Sequence, residues 1–90
     1  MEKLSKAAKE RLLRSDFFHE VEEVVKAWDY YCKIGDIPKS KEMRHEWRMA
    51  KLALEFITGN IYDFSRDLNG NYRVVNTRDC NDILIVGRND

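Results

Sequence analysis

Asp67-Leu68-Asn69-Gly70-Asn71 is the stretch of this 90-residue chain that comes nearest to a metal-binding motif. Its oxygen-bearing side chains stand at the first, third and fifth positions of a would-be calcium loop, and Val74 fills the apolar eighth. The match then fails. The sixth position, where such a loop needs glycine, is Tyr72, and the twelfth, where it needs a bidentate carboxylate, is Arg78. Asn69-Gly70 between two extended runs is itself a strong hairpin signal, and a turn accounts for the same residues.

Glu42-Met43-Arg44-His45 is an E-x-x-H on a helical stretch, with Glu20 and Glu23 on the preceding one, the residue types of a carboxylate-rich di-iron bundle. Such ligands must point into a bundle core, whereas Glu42 and His45 fall on the side away from Met43, Trp47 and Leu54. His19-Glu20-Val21-Glu22-Glu23 lacks the second histidine of the zinc-protease helix and reads as an acidic surface. Ser5, Ser15, Ser40 and Ser65 sit in no elbow-type glycine context. Cys80 has Asp79 and Asp82 as neighbours, which raise a thiol pKa rather than lower it, and no histidine is placed to serve it. Neither G-x-x-x-x-G-K nor G-x-G-x-x-G occurs. The sequence therefore predicts a non-enzymatic protein with no metal site and no cofactor.

Lys41, Arg44, Arg48 and Lys51 recur at i, i+3, i+7 and i+10, a basic stripe along one helix. Three helices followed by a β-hairpin have the order of a winged helix, so a nucleic-acid-binding regulator using this stripe is the alternative reading. Two departures weaken it. The second helix is about twice the length usual before a recognition helix, and Glu42, Glu46 and Glu55 interrupt the basic face.

The charge pattern favours a protein partner over a polyanion. Formal net charge is zero, yet residues 1–14 sum to +3, residues 15–36 to −4, residues 37–60 to +2 and residues 61–90 to −1. Such alternation promotes pairing between neighbouring elements or subunits. A content of 43% hydrophobic and 36% charged residues is that of a folded, soluble chain rather than a disordered one. Ninety residues suit one small domain. No apolar run approaches the roughly 20 residues of a membrane span, and Met1–Lys6 leads into no signal-peptide core, so a cytoplasmic location is expected. Cys32 and Cys80 are too few for a disulfide scaffold and are expected as free thiols.

The elements that must carry these residues follow from a change of hydrophobic period at Gly59-Asn60. A first helix is predicted over Lys3–Leu13, with Leu4, Ala8 and Leu12 on one stripe. A second, Asp16–Ile34, is capped by Ser15 or Asp16. It carries Phe17, Val21, Val24, Trp28 and Tyr31, widened by Phe18, Val25 and Cys32. Gly35-Asp36-Ile37-Pro38 is read as a tight connection to an antiparallel third helix, Lys39–Thr58. Met43, Trp47, Ala50, Leu54 and Ile57 form one apolar face of that helix, and Met49, Leu52 and Phe56 form another. The first can meet the second helix; the second needs either the C-terminal strands folded back over it, the simpler expectation, or another subunit.

After Gly59 come Ile61–Phe64, Tyr72–Asn76 and Asp82–Gly87 as extended runs, with a longer polar turn at 77–81 and a fraying end at Arg88-Asn89-Asp90. Ile83–Val86 is apolar on both sides of the pleat, which suits a strand covered twice or one whose second face awaits a partner. The expected fold is α+β: a short helix, an antiparallel helical hairpin and a two- or three-stranded antiparallel meander, with helices over 3–58 and strands over 61–87. The expected function is binding of another protein, with self-association to a homodimer or other oligomer through Met49, Leu52, Phe56, Leu84 and Val86. Adaptors, inhibitors and regulatory subunits have this make-up, including the accessory proteins of phages and mobile elements. Nucleic acid is the less favoured partner, and no membrane contact is expected.

Overall fold

A computed structural model describes residues 5–87. Lys3 and Leu4 of the expected first helix, and the expected fraying of Arg88, Asn89 and Asp90, lie outside the described residues. Three helices, α1 (Lys6–Arg14), α2 (Asp16–Ile34) and α3 (Ile37–Thr58), precede three strands, β1 (Tyr62–Arg66), β2 (Tyr72–Asn76) and β3 (Asp79–Val86). The α+β layout read from the sequence is the one observed, with a three-stranded antiparallel sheet in the order β1-β2-β3.

Side-chain caps set the helix boundaries. Ser5 Oγ accepts from the Ala8 amide at 3.1 Å and starts α1. Ser15 closes α1, its amide donating to Leu12 O, and opens α2 by accepting from the Phe18 amide at 3.2 Å. Gly35, at φ 74°, ends α2 in the left-handed conformation that glycine adopts without a Cβ clash. The third helix starts at Ile37 rather than Lys39, because Asp36 caps the Lys39 amide at 3.2 Å. Pro38 then falls in the first turn, where a missing N–H costs nothing.

The helical hairpin runs antiparallel along its length. Lys39 lies over the Tyr31 ring near the connection, and the Trp28 and Trp47 rings stack with centroids 6.5 Å apart further along. Leu12, Phe18, Val21, Val25, Trp47 and Leu54 from the helices are buried with Tyr62, Val74, Leu84 and Ile85 from the sheet. Trp28 is only half-buried and rests on Phe64, with centroids 4.5 Å apart. Two residues assigned to apolar stripes face water instead: Cys32 and Ile57 are exposed. Thr58 takes the inward place at the end of α3, its hydroxyl donating to Leu54 O at 2.7 Å.

The first turn of the sheet lies where the sequence placed it, and the second departs from the reading. Asp67–Asn71 forms a five-residue connection in which the Gly70 amide donates to Asp67 O and Asp67 Oδ1 accepts from the Asn69 and Asn71 amides. The carboxylate that suggested a calcium loop is thus a turn cap. The second turn is Thr77-Arg78, shorter than the polar stretch at 77–81, and β3 begins at Asp79. Cys80 therefore lies on a strand and not in a turn.

Between the pairs Val75↔Ile83 and Val74↔Ile85, β3 has one residue more than β2, and that residue is Leu84. This bulge allows the consecutive Leu84 and Ile85 both to be buried. The apolar run at Ile83–Val86 is explained by a bulge, with no second cover required.

Candidate functional site

The five residues expected to form a protein interface divide. Met49, Leu52 and Phe56 are 59%, 60% and 92% exposed, and Val86 is 58% exposed. Leu84, by contrast, is 8% exposed and belongs to the core, so it is withdrawn from the interface; the bulge turns it inward. Met49, Leu52 and Phe56 share one side of α3 because they recur at i, i+3 and i+7. A second exposed apolar group, Tyr30, Ile34 and Ile37, surrounds the helix connection.

Beside the ridge lies an open groove of about 220 Å³ between α2 and α3. Val21, Val24, Ala50 and Ala53 line it, Phe17 and Met49 flank it, and the carboxylates of Glu20 and Glu46 stand at its rim. The groove opens on the side of the hairpin away from the sheet. Phe17, Glu20 and Val24 are rotated around α2 from Asp29, which meets β1 through Arg66; Met49 and Ala53 are rotated around α3 from Lys51, which meets β1 through Asp63. Small alanines leave the space, and Met49 is both part of the ridge and part of the groove wall.

The basic stripe lies along the other flank of the ridge. Lys41, Arg44 and Arg48 are exposed and, with His45, surround a shallow recess. Lys51 differs from them: its ammonium pairs with Asp63 at 3.2 Å and fastens α3 to β1. Glu42 and His45 are both exposed. Among the described residues no group of three or more His, Cys, Asp or Glu side chains is gathered closely enough to hold a metal ion.

Sequence reasoning missed the groups that tie the sheet to the helices. Asp82 on β3 accepts from Lys9 Nζ on α1 at 2.9 Å, from the Tyr62 hydroxyl on β1 at 2.5 Å and from Asn76 Nδ2 on β2 at 3.2 Å. Burial opposes the charged carboxylate, but the hydrogen bonds from Tyr62, Lys9 and Asn76 outweigh it and hold Asp82 below the ordinary aspartate range. Burial first, and then the Asp82 carboxylate, push the Tyr62 phenol well above its usual value. A phenol that keeps its proton and is fully buried is a clamp rather than an acid-base catalyst.

Asp29 is the second such group. It is buried on α2, receives Arg66 of β1, and pairs with Lys33 at 3.1 Å. Its signal was present in the sequence: Asp29 continues the Phe18, Val21, Val25 line, an acid on an apolar stripe. Asp82 carried no such signal, because its partners come from three other elements.

No helix among the described residues is long and apolar enough to cross a membrane. Comparison with protein families, curated proteins and solved structures finds no match to the chain.

Proposed function

We propose that this domain works by binding protein through the exposed apolar ridge of α3, with Met49, Leu52 and Phe56 as the contacts. The observation that carries the reading is Phe56: a phenyl ring 92% exposed in the last turn of α3, three residues beyond Ala53 of the groove lining. Aromatic side chains seated in pockets supply most of the binding energy at protein interfaces. Val86 is exposed as well, but on the sheet, apart from this ridge.

The second reading, nucleic-acid binding by Lys41, Arg44, Arg48 and Lys51, retains three exposed cations, while Lys51 is engaged by Asp63. Exposed Glu42 and Glu46 on the same helix further reduce its appeal to a polyanion.

A benzophenone amino acid placed at Leu52 tests the proposal in the cells that express the protein. Illumination should join position 52 to a polypeptide, and the adduct should disappear when Phe56→Glu is added. The same photoreactive group at Glu22, exposed on α2 in line with Asp29 and away from the groove, should give no such adduct. Absence of any polypeptide adduct at position 52 would remove the reading.

A further inference from the structure

We propose that the occupant of this face is a second copy of the chain, related by a two-fold axis, so that α2 and α3 of the two copies form a four-helix bundle with Phe56 of each copy in the other's α2–α3 groove. The inference rests on the reading of α3 as a protein-binding face and names its partner.

Self-complementarity is the first reason. A two-fold interface uses one patch twice, so the patch must contain both a knob and a hole. Here Phe56 is the knob, the groove floored by Ala50 and Ala53 is the hole, and Met49 belongs to both. The space is adequate: a cavity of about 150 Å³ holds a benzene molecule, and this groove measures about 220 Å³.

Charge chooses the arrangement. The groove is rimmed by Glu20 and Glu46, and the segment that contains α2 carries six acidic against two basic side chains. The segment that contains α3 is net basic, and Lys41, Arg44 and Arg48 border the ridge that carries Phe56. Seating α3 of one copy over α2 of the other brings these opposite signs together, twice by symmetry, and the zero net charge leaves no overall repulsion between copies. Seating α3 over α3 instead sets like flanks side by side.

Area is sufficient as well. At about 1.5 Å per residue, helices of this length present a face roughly 30 Å long and two helices wide, on the scale of the ~800 Å² per partner of a stable interface. The sheet covers the opposite side of the hairpin, so this face remains open in the single chain.

Light scattering on the purified full-length chain should give twice the chain mass. Phe56→Glu removes the knob and Ala53→Arg fills the hole; each should raise the dimer dissociation constant at least tenfold while the helical circular dichroism stays unchanged, since neither side chain is in the core. A monomeric wild type, or a dimer that survives both substitutions, overturns the inference. The benzophenone at position 52 separates this inference from the broader reading. An adduct at twice the chain mass supports the second copy, an adduct of another mass overturns it while leaving a protein-binding face, and no polypeptide adduct overturns both.

Discussion

The Tyr62 hydroxyl donates to Asp82 Oδ2 across 2.5 Å, spanning from the first strand of the sheet to the last. The ring of Tyr62 is fully buried, and the acceptor also receives Lys9 from α1 and Asn76 from β2. One carboxylate thereby joins a helix to all three strands. Replacing Tyr62 by Phe leaves the ring packing in place and removes only the donor. A hydrogen bond to a charged group contributes about 1.5–3 kcal/mol, so Tyr62→Phe should lower unfolding free energy in urea by that amount. An unchanged midpoint would show that the bond adds nothing.

Stability should fall at both ends of the pH scale for reasons that trace to this pair. Asp82 is held below its ordinary value in the folded state, so its contribution is full above the unfolded value of about 3.9 and is lost as pH falls through the folded one. Tyr62 is raised, so its contribution is full below about pH 10 and declines above it. Thermal unfolding followed across pH should show both limbs, and Tyr62→Phe should shrink the alkaline one to the share of Tyr72, whose phenol burial also raises. An alkaline limb of unchanged size in the variant would assign it to another group.

Asp29 should be more costly to remove than Arg66. Removing one member of a buried ion pair costs about 3–5 kcal/mol, but Arg66 keeps 35% of its side chain in water, which places Arg66→Ala below that range. Lys33 still faces the carboxylate in that variant. Asp29→Ala strands Arg66 at the edge of β1 and should cost more. Equal losses in denaturant unfolding would contradict the burial difference between the two.

Trp47→Ala should cost about 3–5 kcal/mol, the usual price of emptying a buried aromatic site. Phe56→Ala, at a site with no monomer packing to lose, should change the stability of the separated chain by no more than about 0.5 kcal/mol. Trp47 emission should be blue-shifted relative to that of the half-buried Trp28, read in the Trp28→Phe and Trp47→Phe proteins. A water-like Trp47 spectrum would contradict the hairpin packing.

Affinity for duplex or single-stranded nucleic acid should be negligible at physiological salt. Binding through Lys41, Arg44 and Arg48 requires counterion release, with a log–log salt slope that flattens by about one unit for each contact removed. Tight, salt-sensitive binding lost in an Arg44→Ala, Arg48→Ala double variant would promote the winged-helix reading over protein binding.

The helices, the caps at Ser15 and Gly35 and the change to strands after Gly59 were legible in the amino-acid order, because each depends on residues within one or two turns of one another; the caps at Ser5 and Asp36 were not read. Ser15 and Gly35 act locally, and so do the i, i+3 and i+7 repeats that set Met49, Leu52 and Phe56 on one side of α3. Periodicity also marked α3 as a helix with two apolar faces. The expected cover of the Met49, Leu52 and Phe56 face by the strands is not what the fold shows: that face is exposed, and β1 meets α3 at Lys51.

Tertiary structure decided where the sheet meets α3, and it decided Leu84 and Asp82 as well. Leu84 is buried only because β3 takes up one extra residue against β2, an outcome of strand register that no short-range pattern encodes. Asp82 is a structural hub only because Lys9, Tyr62 and Asn76, far apart along the chain, converge on it. The groove beside Phe56 likewise exists only where the small residues of α3 come to lie against Val21 and Val24 of α2. Local hydrogen bonding fixes elements within a few residues of sequence, whereas burial, ion pairing and shape depend on which elements meet, and that is settled by packing the whole chain.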